Sequence, residues 1–149
     1  MSEMLANQYF LSRNFDKALL HFEEVIKEEP DNECVQKKMI ICYCEVGMVQ
    51  TALQLFDHLI QKNIELIVDT DVISEDCPCP ELVERMKWYE QVASTSYDFN
   101  CILGILNLYC NIDDSIFYFS RALELSPENQ ILQQILRRIK RHADERTKI

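Results

Sequence analysis

A chain in which Tyr9, Ala18 and Phe22 return as Tyr43, Ala52 and Phe56, each after 34 residues, has few folds open to it. Self-similarity at a period of about 20–50 residues marks stacked units, none of which can bury its own apolar face alone. Between Tyr and Ala lies a break, Ser12-Arg13-Asn14 in the first copy and Gly47 in the second. Each copy therefore reads as helix, tight turn, helix. Ala18 and Phe22 fall i, i+4 on one helical face, flanked by Leu19 and Ile26. The small Ala lets the two helices of a hairpin approach closely. Pro30 stops the second helix, and Asp31-Asn32 supplies an N-cap for the next.

A third copy is anchored on Phe119-x2-Ala122-x4-Pro127, which has the spacing of Phe22-x2-Val25-x4-Pro30. This register puts Phe99, Ile102, Leu103 and Leu106 on a first helix, Asn111-Ile112-Asp113 at the turn and Ser115 at the small position of the second. The third copy follows the second by 63 residues instead of 34, so 29 residues, about 67–95, are inserted. The stretch from Asp69 to Pro80 is acidic and ends in two prolines, which predicts a loop, with Pro80 in the first turn of a helix. Leu82, Val83, Met86, Tyr89, Val92 and Ala93 keep helical spacing and predict one extra helix from Glu81 to Ser94. Ser126-Pro127-Glu128 reads as an N-cap and first-turn proline opening a closing helix. Ile131, Leu132, Ile135, Leu136, Ile139 and Ala143 form its apolar stripe.

The 34-residue period with its small Ala, aromatic and terminal Pro resembles the tetratricopeptide repeat (TPR) family. Tyr9, Ala18, Phe22 and Pro30 fit a first repeat, Tyr43, Gly47, Ala52 and Phe56 a second, and Phe99, Phe119, Ala122 and Pro127 a third. The pattern is broken by Ile64 in place of the terminal Pro, Ser115 in place of Ala, and Ile40 and Leu103 where a small residue is usual. The resemblance implies an all-α, right-handed solenoid of helical hairpins with an inserted loop-helix and a C-terminal capping helix, about eight helices in one domain over 1–149. Its repeats run about 2–32, 33–66 and 96–126, its insertion 67–95 and its cap 127–146.

In this family the concave face binds peptides or helices of partner proteins. The resemblance places Asn7, Phe10 and Leu11 on that groove from the first repeat, Lys37, Ile41, Cys44 and Glu45 from the second, and Tyr97, Asn100, Asn107 and Leu108 from the third. A mixed apolar and amide surface of this kind suits a peptide held by its backbone. One subgroup grips the C-terminal carboxylate of chaperone tails with basic residues. Here the corresponding positions are Glu3 and Asn7, and a Glu would repel that carboxylate.

Composition narrows the function further. The 149 residues carry a net charge of −10, which argues against binding nucleic acid or an anionic membrane through bulk electrostatics. Met1-Ser2-Glu3-Met4 runs straight into an amphipathic pattern, so the sequence predicts no export signal, and its seven cysteines read as reduced thiols in the cytoplasm. Cys77-Pro78-Cys79 has a one-residue gap, too short for a zinc pair, and reads as an ordinary loop pair with no metal and no cofactor. His21, His58 and His142 stand in no catalytic motif, and nothing reads as an enzyme. Charge is uneven: residues 127–149 hold Arg137, Arg138, Lys140, Arg141, Arg146 and Lys148 against three acidic side chains, whereas residues 1–126 hold 22 acidic against nine basic. The expected function is a non-catalytic protein-interaction module or scaffold binding a peptide or helix on its concave face. The alternative is a structural subunit that self-associates through the basic C-terminal helix, with Trp88 and Tyr89 contributing.

Overall fold

Ten helices and no strand make up residues 2–147, the part of the chain that the computed structural model describes. In chain order they are α1 (Ser2–Leu11), α2 (Phe15–Glu28), α3 (Glu33–Glu45), α4 (Val49–Asn63), α5 (Glu65–Val68), α6 (Cys79–Lys87), α7 (Glu90–Ala93), α8 (Tyr97–Leu108), α9 (Ile112–Leu125) and α10 (Gln130–Thr147). The chain is all-α. It forms two compact units, Met1–Leu59 and Ile60–Ile149, with the boundary falling inside α4.

In the first unit α1 and α2 close as a hairpin and α2 packs on α3. Phe10 of α1 meets Phe15 and Phe22 of α2 edge-on, with ring centroids 5.8 and 6.0 Å apart. Ala18, Phe22, Ala52 and Phe56 are all fully buried. The period is also written in the turns. Asn14 donates its N–H to Tyr9 O at 2.8 Å and Arg13 to Phe10 O at 3.0 Å; 34 residues on, Met48 donates to Tyr43 O at 2.9 Å and Gly47 to Cys44 O at 3.3 Å. This pair of bonds is the Schellman closure of a helix C-terminus, which needs one residue with a left-handed backbone. Gly47 supplies it with φ +84° and Arg13 with φ +65°. Arg13 offsets the misfit in part by donating from its guanidinium to Phe10 O at 3.3 Å.

In the second unit α8 and α9 form the third hairpin, α10 packs on α9, and α6 packs on α8. Ser115 and Phe119 are fully buried, as their counterparts Ala52 and Phe56 are. Ser115 fits the small position because its hydroxyl donates to Gly104 O at 2.7 Å, leaving no unsatisfied polar atom. Close approach falls on Gly104 rather than on the expected position 103, where Leu103 is buried. A Cβ at Gly104 would lie 2.8 Å from the Phe119 ring. The third turn closes differently. Cys110 and Asn111 both donate to Asn107 O, at 2.9 and 2.6 Å, and Asn111 then caps α9 by accepting from the Asp114 N–H at 3.2 Å.

Four expectations change. The helices number ten, not about eight, because α5 and α7 are additional single turns. With Ile64 in place of proline the chain restarts a helix at once, Asn63 accepting from the Glu65 N–H at 3.1 Å. The insertion's single helix is two, α6 and α7, hinged at Trp88 and Tyr89, and Tyr89 and Val92 are exposed instead of lining an apolar stripe. The closing helix starts at Gln130; its cap is Asn129, which accepts from the Leu132 N–H at 3.1 Å, while Ser126 is the C-cap of α9.

Gly47→Ala puts a β-carbon on a left-handed residue with nothing within 4 Å, so its cost is backbone strain alone, about 1–2 kcal/mol. The urea midpoint of this variant should fall, and that of Arg13→Gly should rise by less, since the latter also loses the guanidinium bond.

Candidate functional site

The helices that would line a groove are the first helices of the hairpins, and three helices, α3, α8 and α10, begin with one shared device. In each, an N-cap side chain accepts from the third helical N–H: Asn32 from Val35 at 3.1 Å, Ser96 from Phe99 at 3.2 Å, Asn129 from Leu132 at 3.1 Å. Four residues past each cap stands an amide. Gln36 donates back to Pro30 O at 2.9 Å, Asn100 to Ser94 O at 2.9 Å, and Gln133 to Pro127 O at 2.8 Å. The acceptor is always the carbonyl two residues before the cap. The amide thus ties the first turn to the chain that enters it and sets the direction in which the helix leaves.

This device decides the place of one predicted groove residue. Asn100 is fully buried, and its NH2 bonds Ser94 O and Ser96 O, which ties the first turn of α8 to the chain that enters it. Asn107 is also buried and donates to Leu103 O at 2.8 Å, one turn back on α8. Phe10, Ile41, Cys44 and Leu108 are buried too. These six present no open surface. Of the remaining five, Leu11 is exposed, and Asn7, Lys37, Glu45 and Tyr97 are half-buried.

In the first unit, Asn7 and Lys37 lie on α1 and α3. Asn7 Oδ1 accepts from Lys38 Nζ at 2.8 Å, which joins the two helices and leaves the Asn7 NH2 as the group it can offer a ligand. Lys38 Nζ also stands 5.9 Å from the centroid of the Phe10 ring. In the second unit, Tyr97 accepts from Asn129 Nδ2 at 2.8 Å, and burial together with the neighbouring Cys101 thiol pushes its phenol up to about 12.

A polar cluster of the second unit carries no sequence motif. Arg121 of α9 donates to Glu90 Oε1 at 2.6 Å and to Ser94 O at 3.0 Å, and its guanidinium lies over the Phe117 and Tyr118 rings, 5.1 and 5.4 Å from their centroids. The Tyr118 phenol is raised by burial and then by the Glu90 carboxylate. The cluster joins α7 to α9 immediately after the break at Trp88-Tyr89. It shares the Ser94 carbonyl with Asn100.

The thiols fall into two groups. Burial pushes Cys42 and Cys101 up to about 12, so at neutral pH they stay protonated and unreactive. Cys77 and Cys79 meet beside α6, their Sγ atoms 2.7 Å apart. His21 stacks on Tyr9 with ring centroids 5.6 Å apart. Among the described residues no three His, Cys, Asp or Glu side chains converge as a metal site, and no helix is long and apolar enough to cross a membrane. No model of a known protein family matches the chain, and no curated protein matches it.

Arg121→Ala removes a half-buried pair and one carbonyl bond, a loss of about 1–2 kcal/mol. Hydrogen exchange at residues 88–95 should accelerate more than in α8, and equal acceleration of both would deny the cluster its role in placing α7.

Proposed function

We propose that this chain is a non-catalytic adaptor of the TPR type, which takes a peptide or helix of a partner protein on the face of its first helices. The observation that carries the reading is the recurrence of backbone bonding. The Schellman turn returns after 34 residues, and the cap-and-amide start of α3 returns at α10 after 97, the sum of one regular and one interrupted period. Chains made of such repeats present extended faces instead of single deep pockets, and that geometry suits protein ligands.

Within the first unit the ligand would meet Asn7, Leu11, Lys37 and Glu45, an amide, an apolar side chain and both charges. An extended segment could take backbone bonds from Asn7 and a charge match from Lys37. In Asn7→Ala/Lys37→Glu, affinity for a partner isolated with the wild type should fall at least tenfold, measured by calorimetry with the purified partner. Far-UV circular dichroism controls for the fold. Equal affinity would remove α1 and α3 as the binding face.

A second reading is favoured by charge. Arg137 and Lys140 line a shallow recess of α9 and α10 with Leu123, Gln133 and Leu136, and Arg141 is exposed next to them; Lys148 lies outside the described residues. An acidic body carried by another copy would complement this helix. If so, sedimentation at low salt should give a mass above 17.6 kDa that returns to the monomer value at high salt and in Arg137→Glu/Arg141→Glu.

A further inference from the structure

Cys77 and Cys79 flank Pro78, and several local bonds bring them together. Asp71 accepts from the Ser74 N–H at 3.1 Å and the Ile73 N–H at 3.2 Å, and bonding by the Ser74 backbone and side chain, with a smaller part from Ile73, lowers its carboxyl from the ordinary value. Asp76 then takes a left-handed φ of +49°, and the Cys77 N–H donates to Val72 O at 3.0 Å. The chain is thereby turned so that Cys77 faces Cys79, the first residue of α6. At 2.7 Å the two sulfurs are closer than ordinary van der Waals contact. Cys77 is half-buried and reachable, whereas Cys79 is fully buried.

We propose that Cys77 and Cys79 are a redox-active dithiol that hydrogen peroxide closes into a disulfide. Cys77, the reachable sulfur, attacks one peroxide oxygen; the O–O bond breaks, the other oxygen leaves as water after taking a proton, and Cys77 becomes a sulfenic acid. Cys79 then attacks the Cys77 sulfur, the S–O bond breaks and a second water leaves. Two thiols and one peroxide give one disulfide and two waters: the sulfurs lose two electrons and the peroxide gains them. A bridge across a single residue closes a small ring, and strained bridges are the ones that thiols reopen readily. Two molecules of a monothiol would restore both cysteines and leave as their own disulfide.

The remaining thiols make the test selective. Cys42, Cys44 and Cys101 are buried, and Cys34 and Cys110 are exposed. Cys110 stands near enough to Cys77 for their charges to interact, which makes it the competing partner. The full-length chain is treated with one equivalent of hydrogen peroxide, denatured, and labelled with a thiol-specific alkylating reagent. Five of the seven cysteines should take the label, and the tryptic peptide 63–85, which contains Cys77 and Cys79 and no other cysteine, should weigh two hydrogens less than its reduced form. Dithiothreitol before labelling should restore all seven. Cys34→Ser/Cys110→Ser should keep the bridge and Cys77→Ser should lose it. The proposal is overturned if every cysteine is labelled after peroxide, if the bridge maps to Cys110 or to Cys34 of a second chain, or if Cys77 advances to sulfinic acid while Cys79 stays a thiol.

Discussion

Every helix begins with N–H groups that have no partner in the helix itself, and packing shuts those groups off from water. This protein meets that constraint in the same way at α3, α8 and α10. A cap side chain accepts one N–H, and an amide one turn later holds the carbonyl of the incoming chain. The consequences reach beyond the caps. Once the entry angle of a first helix is held, the second helix can fold back so that its small residue meets that first helix. Buried Ala52 and Ser115, with Phe56 and Phe119 one turn later, occupy matching positions on the helices that follow α3 and α8. The hydrophobic faces supply the driving force, and the polar starts supply the direction.

The hairpins were legible because burial is periodic and the period is carried by large and small apolar residues. The starts were in the sequence as well: Pro30-Asp31-Asn32 with Gln36 and Pro127-Glu128-Asn129 with Gln133 share one spacing, 97 residues apart. In sequence alone, Asn and Gln on a helix look like solvated residues, and only their bonds reveal that they point backward. The same ambiguity placed Asn100 and Asn107 on a groove. Helical register assigns a side chain to a face but cannot say whether that face is covered, and both amides are buried. The break between α6 and α7 was illegible for a different reason. The pair that joins α7 to α9 draws on Arg121, 31 residues beyond Glu90, and no local window on the insertion contains it.

The insertion marks where the chain departs from its own rule. Without proline at Ile64, a single-turn helix follows α4 directly, and the acidic loop after it delivers Cys77 to the start of α6. In the third hairpin Gly104 lies against the Phe119 ring and Ser115 bonds the Gly104 carbonyl, so two residues occupy the close contact between α8 and α9.

The elbow between α6 and α7 has a practical side. Trp88, the only tryptophan of the chain, sits there with 84% of its surface in water. Its indole is already solvated in the folded state, so unfolding gives it little new environment to report. Emission from this residue follows the elbow, including any ligand that settles on it, and is nearly blind to the core. The native fluorescence of this protein is thus a reporter of its surface, and the integrity of its hairpins has to be read from backbone signals instead.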